Sequence, residues 1–293
     1  MTEHNEHINT FEEEDEMFWE PTLEEKREMA KKRFKAKERA PKVTPEMTDG
    51  RIKKKFTLHD LNKIVPKTET QRQVCASFRK NLELHHFLYG SAGTGKTFLG
   101  LGLGLENVLD PATPYDKLLI VRSVVPSREI GYLPGDIGEK TAVYEEPYVS
   151  VCDELFNVAN SYANLKEIGK IEFTQTSFLR GKTFNDCVIL VDEVQNMNFG
   201  ELDTIVTRVG RNSKIIFAGD SRQNDLLNKR NEQSGFYPFI DIISSMHNRF
   251  GVFEFGHNDI VRSGLVKEYI IRKETFFANE VEEYEKPLPS GKK

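Results

Sequence analysis

From Phe56 onward the apolar residues fall in short, dense runs. Leu84–Tyr89, Lys117–Ser123, Cys187–Val191 and Lys214–Ala218 are near-continuous apolar stretches, and Ile171–Phe178 reads as a strand by alternation. Unbroken runs of this length predict strands buried on both faces. Longer segments of helical character lie between them. Phe98–Leu109 is apolar with glycines at 100, 102 and 104, which predicts a buried helix lying close on a sheet, and Val149–Ala163 predicts another. Thr68-Glu69-Thr70-Gln71 has the form of a capping box that opens a helix through Leu82. Strands alternating with helices through short connections give a parallel sheet covered by helices, an α/β domain. No internal repeat is visible.

Residues 1–55 lack this pattern. Residues 1–25 hold ten Asp/Glu and no Lys/Arg, whereas 26–55 hold thirteen Lys/Arg and four Asp/Glu. Such charge blocks read as a solvated, disordered tail, which ends in a linker marked by Pro41 and Pro45. The expected organisation is therefore a tail over 1–55 and one core over 56–293. Within the tail, Met17-Phe18-Trp19-Glu20-Pro21 is either a docking segment or a few stray apolar residues. Glu24–Ala40 is a helix candidate whose lysines and arginines either contact phosphates or face solvent.

Composition narrows the class. The chain has 293 residues, 30% charged and 38% hydrophobic, with a net charge of −5. That balance fits a cytoplasmic protein and argues against bulk coating of nucleic acid, while leaving a local basic contact open. No apolar run approaches the ~20 residues that cross a bilayer, and no signal peptide is expected. Cys75, Cys152 and Cys187 are far apart and form no C-x-x-C pair, so neither a disulfide framework nor a zinc site is expected.

The chemistry begins at Gly90-Ser91-Ala92-Gly93-Thr94-Gly95-Lys96-Thr97, a full G-x-x-x-x-G-K-[ST] phosphate loop. It stands between a predicted strand and a predicted helix, as the motif requires. Its backbone N–H groups would wrap an anion, and the following helix adds its positive end. Lys96 would reach the β- and γ-phosphates of a nucleotide, and the Thr97 hydroxyl would sit on Mg²⁺. Ninety-six residues after Lys96, the run Val188–Val191 ends in Asp192-Glu193. Asp192 is the expected Mg²⁺ partner, and Glu193 the residue that orients or deprotonates the attacking water. The spacing suits a fold in which another strand separates the two motif strands. After the Lys214–Ala218 run, Gly219–Asp225 is polar. Gln223 is the candidate γ-phosphate sensor, although a surface turn would look the same. Gln71 either reads the adenine edge or completes the capping box.

These residues carry a resemblance. Gly90–Thr97 and Asp192-Glu193-Val194-Gln195-Asn196 resemble motifs of superfamily 1 helicases. Ile130-Gly131-Tyr132-Leu133-Pro134-Gly135-Asp136 with Glu139-Lys140 resembles the LGFLPGD…EK signature of PhoH-like proteins. Leu179-Arg180-Gly181-Lys182-Thr183, Thr207-Arg208-Val209-Gly210, Gly219-Asp220 through Leu226, and Asp259-Ile260-Val261-Arg262 resemble further motifs of that family in order. Ser123, Val194 and Ser263-Gly264 depart from its usual residues. The resemblance implies a P-loop NTPase with a RecA-like sheet, and an RNA- or single-strand-stimulated ATPase of helicase type. The competing readings are a nucleotide-dependent switch and a P-loop kinase, the latter disfavoured by the Asp192-Glu193 pair. With one core in the chain, the γ-phosphate cation is expected from a neighbouring subunit in a ring or other head-to-tail oligomer, a hexamer being one such ring. Arg262 is the first candidate, then Arg208, Arg180 and Arg122. No nuclease domain is expected.

Overall fold

The computed structural model describes residues 56–123, 137–220 and 235–285. Six parallel strands form one sheet: β1 (His85–Gly90), β2 (Lys117–Arg122), β3 (Ile171–Gln175), β4 (Cys187–Asp192), β5 (Lys214–Gly219) and β6 (Phe250–Phe255). Their spatial order is β3-β2-β4-β5-β1-β6. The helices are α1 (Glu69–Lys80), α2 (Lys96–Leu109), α3 (Ile137–Phe156), α4 (Ser161–Glu167), α5 (Phe199–Val206), α6 (Phe236–Ser245) and α7 (Gly264–Glu285).

The period of two along each strand divides the core between the two faces. Leu118, Ile120, Val188, Leu190 and Ile216 point to one side, where Val74 and Phe78 of α1, the leucines of α2, and Tyr148, Cys152 and Leu155 of α3 cover them. Leu119, Val121, Ile189, Val191, Ile215 and Phe217 point to the other, under Leu202 and Ile205 of α5 and Phe236, Phe239 and Ile243 of α6. All six residues of β4 and of β5 are buried, as central strands covered on both faces must be. Helix α2 lies close on the sheet because it has no side chain at two points of contact. A Cβ on Gly100 would stand 2.7 Å from Leu190 Cδ1, and one on Gly104 would stand 2.8 Å from Leu118 Cδ1. The predicted α/β sheet is therefore present, and β5 separates the two motif strands β1 and β4.

Three elements differ from expectation. The predicted helix Val149–Ala163 is two helices, because Asn157 and Asn160 adopt left-handed φ values of 51° and 62° that asparagine tolerates. The predicted strand Ile171–Phe178 stops at Gln175 and turns through a 3-10 helix, Thr176–Phe178. Strand β6, not foreseen, adds to the outer side of β1. The tail 1–55, the Ile130–Asp136 motif and Gln223 lie outside the described residues.

Candidate nucleotide site at the strand tips

In a parallel sheet the crevice beyond the carboxyl ends of the strands is where ligands bind. Here β1 runs into the phosphate loop and α2, β4 ends in Asp192, and β5 ends in Gly219 between them. Gly90–Thr97 thus forms a turn under the first residues of α2, with Gly93 and Gly95 at φ 71° and 83°. Lys96 is buried, and its Nζ donates to Gly90 O at 3.1 Å and Ser91 O at 2.7 Å. Thr97 Oγ1 donates to Asp192 Oδ1 at 3.0 Å, which joins the phosphate loop to β4. Tyr148 of α3 donates to the other oxygen, Asp192 Oδ2, at 3.0 Å.

Glu193 follows with a left-handed φ of 56°, a conformation costly for a glutamate outside a constrained site. Its carboxylate is gripped from two sides. Arg122 at the tip of β2 stands 3.9 Å from Oε1, and Gln195 Nε2 donates to Oε2 at 2.5 Å. Gln195 in turn accepts the backbone N–H of Asp220 at 2.9 Å, so the candidate base is tied to the tip of β5.

The loop is also clamped from behind. Gln71 Nε2 donates to Thr94 O at 2.9 Å, while Gln71 Oε1 accepts Lys67 N–H at 2.7 Å. Thr68 caps α1 by accepting the Gln71 N–H at 3.3 Å, but the Gln71 side chain braces the phosphate loop instead of closing the box on Thr68. Both ends of that amide are engaged with protein here. After β6, Val261 N–H donates to Gly93 O at 3.1 Å, and the stem of Arg262 crosses Gly93: a Cβ there would meet Arg262 Cγ at 2.8 Å. Glu274 of α7 accepts Ser91 Oγ–H at 2.9 Å on an oxygen that also meets His257 Nε2 at 2.8 Å.

The arginine candidates separate. The Arg262 stem lies against Gly93 in the phosphate loop of its own chain, and Arg122 stands 3.9 Å from its own Glu193. Arg208, whose carbonyl accepts Phe184 N–H, stands by the entry to β4, at the other end of the strands from their tips. Arg180 is exposed beyond the tip of β3. No sequence pattern marks Tyr148, Glu274 or His257, and Gln195 stands out only within the Asp192–Asn196 motif.

The site's electrostatics test whether Mg²⁺ and a nucleotide fit. Burial pushes Lys96 below the usual lysine value, opposed by the carboxylates of Asp220, Glu193, Asp192 and Glu274. Burial, and then the charge of Glu193, push Asp192 up to about 6. Burial thus disfavours the charged forms of both Lys96 and Asp192, a cost that a bound phosphate and a bound cation would offset. Among the described residues no cluster of three His, Cys, Asp or Glu forms a cage. One carboxylate and one hydroxyl are instead the donor set of a Mg²⁺ that shares phosphate oxygens. The residues fit the group.

Residues 63–273 match the family described as PhoH-like protein. Protein PhoH2 of Bacillus subtilis (strain 168) is 40% identical over 162 residues, covering 54% of this chain and 34% of that protein. Protein PhoH of Escherichia coli (strain K12) is 33% identical over 181 residues, 61% of this chain and 50% of that protein. A PhoH-like protein of Synechocystis sp. (strain ATCC 27184 / PCC 6803 / Kazusa) is 33% identical over 205 residues, 70% of this chain and 60% of that protein. The matched region thus spans between 34% and 60% of the length of these relatives. Among solved structures, unliganded Pif1 from Bacteroides sp. aligns over 69% of this chain and 43% of its own, at 14% identity and a TM-score of 0.32. A likeness that loose leaves the fold to be judged from the sheet itself. The phosphate loop, the strand-tip acids and the sheet that carries them all fall within the matched residues, and the chain belongs to the PhoH-like family as a nucleotide-binding P-loop protein.

Proposed function

We propose that this chain hydrolyses ATP with Mg²⁺ and that a single-stranded nucleic acid, RNA first, stimulates the reaction as in a helicase-like motor. The observation that carries the reading is the 3.0 Å bond from Thr97 Oγ1 to Asp192 Oδ1, immediately beside a held Glu193. It brings the Gly90–Thr97 loop, Asp192 and Glu193 together, the parts that hydrolysis of a Mg²⁺-bound nucleotide needs. When bound, Mg²⁺ would neutralise charge on the phosphate oxygens, held by Thr97 and Asp192.

The chain's own residues do the rest. The loop N–H groups and Lys96 bind the phosphates, and Lys96 exchanges its two backbone carbonyl partners for phosphate oxygens as it does so. Tyr148 keeps Asp192 turned toward Thr97. Glu193, fixed by Arg122 and Gln195, orients a water and takes its proton. Arg262, lying on the loop, supplies the further positive charge from within the same chain. A ring of copies would then serve the grip on a strand rather than the chemistry.

The test is ATP turnover at several protein concentrations, with and without single-stranded RNA. Stimulation by RNA and a rate per chain independent of concentration are expected. Slow turnover that RNA leaves flat would replace the motor by a nucleotide-dependent switch. A rate that rises with concentration would move the arginine to a neighbour.

A further inference from the structure

A second cluster stands on the same rim, away from the nucleotide crevice. Past Gln175 the chain turns through Thr176–Phe178, and Leu179 is fully buried, which pins the turn to the sheet. Around that anchor the side chains face outward. Phe178 is 49% exposed, and Arg180 and Lys182 are exposed on either side of Gly181, whose φ of 78° reverses the chain between them. The turn is closed by Leu179 N–H to Thr176 O at 3.3 Å and Lys182 N–H to Leu179 O at 3.2 Å. Neither cation meets a carboxylate among the described residues. All strands being parallel, this tip of the edge strand β3 shares the rim with the phosphate loop.

The tip is also linked to the base. Thr176 Oγ1 donates to Glu201 Oε1 at 2.5 Å, and Ser123 Oγ donates to the same oxygen at 3.1 Å. Ser123 is the residue after Arg122, which stands 3.9 Å from Glu193. A displacement of the turn therefore pulls, through one shared carboxylate, on the arginine that holds the base.

We propose that the β3 tip docks a single-stranded nucleic acid, with a base stacked on Phe178 and flanking phosphates on Arg180 and Lys182, and that Thr176, Glu201 and Ser123 pass the contact to Arg122 and Glu193. The proposal rests on the ATPase reading above and deepens it. One exposed ring followed in the same turn by two exposed cations suits a base next to phosphodiesters, and an aromatic platform accepts any base. A single ring with no exposed apolar neighbour in its own turn is too small a core for a protein interface, which needs ~800 Å² per partner.

The test uses the full chain, a labelled short oligouridine and the matching oligodeoxythymidine, anisotropy at two salt concentrations, and ATP turnover. Phe178→Ala should weaken binding about tenfold, within the range of one lost base stack. Lys182→Ala should weaken it and lower the slope against log salt by about 0.7, one phosphate contact on a single strand. Both should keep the unstimulated ATPase rate of the wild type. Glu201→Gln, which can still cap α5, should bind oligonucleotide normally and lose stimulation. Preference for oligouridine would name RNA as the ligand, and equal binding would name single strands of either kind. Wild-type binding and stimulation in both Phe178→Ala and Lys182→Ala would overturn the docking site while the ATPase reading stood. Loss of binding in the variants without any stimulation of the wild type would sink the stimulated ATPase and the relay, and leave the docking site. Loss of unstimulated turnover in Arg180→Ala, restored by mixing in a chain that has Arg180 but carries Lys96→Ala, would make Arg180 a neighbour's finger and overturn its role here.

Discussion

Lys96 and Lys214 are both buried lysines whose ammonium groups rest on backbone carbonyls, and helix α1 connects them. Its first turn braces the phosphate loop through Gln71, and its last turn meets Lys214, which donates to Phe78 O at 3.2 Å and Asn81 O at 3.1 Å. Lys214 Nζ also stands 3.5 Å from the centre of the Phe78 ring. Burial lowers both below the ordinary lysine value, Lys214 to about 7. The surroundings differ. Lys96 feels four carboxylates within the phosphate loop, where the proposed function has it trade its carbonyls for an anion. Lys214 begins the central strand β5, at the other end of the strands from the phosphate loop; it is fully buried and caps the negative end of α1, whose last carbonyls lack helical partners. A buried, depressed lysine is therefore not in itself the mark of a site. Convergent opposite charge that a ligand can rearrange is.

The largest effect that could break this contrast is catalytic. Lys96→Ala should lower ATP turnover at least about 10²–10³-fold, the scale of losing one donor to developing charge. Its thermal midpoint should stay close to the wild type's, because the mutation also removes a buried charge. Glu193→Gln should stop turnover as completely and still retain nucleotide in equilibrium dialysis. Normal turnover in Glu193→Gln would remove the base assignment.

Lys214 gives the stability counterpart. Its folded value of about 7 lies below the ordinary 10.5, so between those pH values the unfolded chain binds the extra proton. Stability rises with pH wherever the unfolded state binds more protons, so Lys214 costs most below about pH 7 and the cost fades toward pH 10.5. The span is on the order of a few kcal/mol. Denaturant unfolding from pH 7 to 10 should show this rise in the wild type and a flatter profile in Lys214→Met, with ATP affinity unchanged at neutral pH. An equally steep profile in the variant would show that Lys214 is not the titrating group.

The contrast also explains what was legible in the sequence. Gly90–Thr97 and Val188–Glu193 are each contiguous, so a motif and an apolar run reveal them, together with the sheet that holds them. Lys214 was read only as the start of a strand, because nothing local says that a helix end will close over it. Tyr148, Glu274 and His257 reach the site from α3, α7 and the turn after β6, and no spacing rule ties a lone tyrosine to an aspartate forty-four residues away. Strand β6 was missed because Phe250-Gly251-Val252-Phe253-Glu254-Phe255 carries a glycine and a charge, which an edge strand admits. Gln71 shows the middle case. The cap on α1 was readable, but the bond to Thr94 O joins residues that only the packing of α1 on the loop brings together.

A smaller effect sharpens the account of Asp192. Burial raises the Tyr148 phenol well above its usual value, so it remains a donor at any working pH. Tyr148→Phe removes that donor and little volume. The Mg²⁺ concentration giving half-maximal ATPase should rise about tenfold, the usual loss on removing a group that orients a metal ligand. Turnover at saturating Mg²⁺ should change less, and an unaltered Mg²⁺ dependence would leave Tyr148 a packing residue.

The smallest expected effect concerns sign. The Glu274 side chain is 1% exposed, accepts from Ser91 inside the phosphate loop, and adds a negative charge to the set around Lys96. If that set only held the loop in shape, any change at Glu274 would weaken nucleotide binding. If Lys96 is instead kept for an anion among competing carboxylates, removing one of them should favour the phosphates. Glu274→Gln keeps the size and an acceptor for Ser91 Oγ–H and cancels the charge. It should bind ADP without Mg²⁺ several-fold more tightly, about three- to tenfold for one charge at partly screened range. Glu274→Ala, which loses the bond to Ser91 as well, should gain less or lose affinity. Weaker ADP binding in Glu274→Gln would mean that the carboxylate positions the loop and does not compete with the nucleotide, and the contrast between the two lysines would then rest on the acids of β4 and β5 alone.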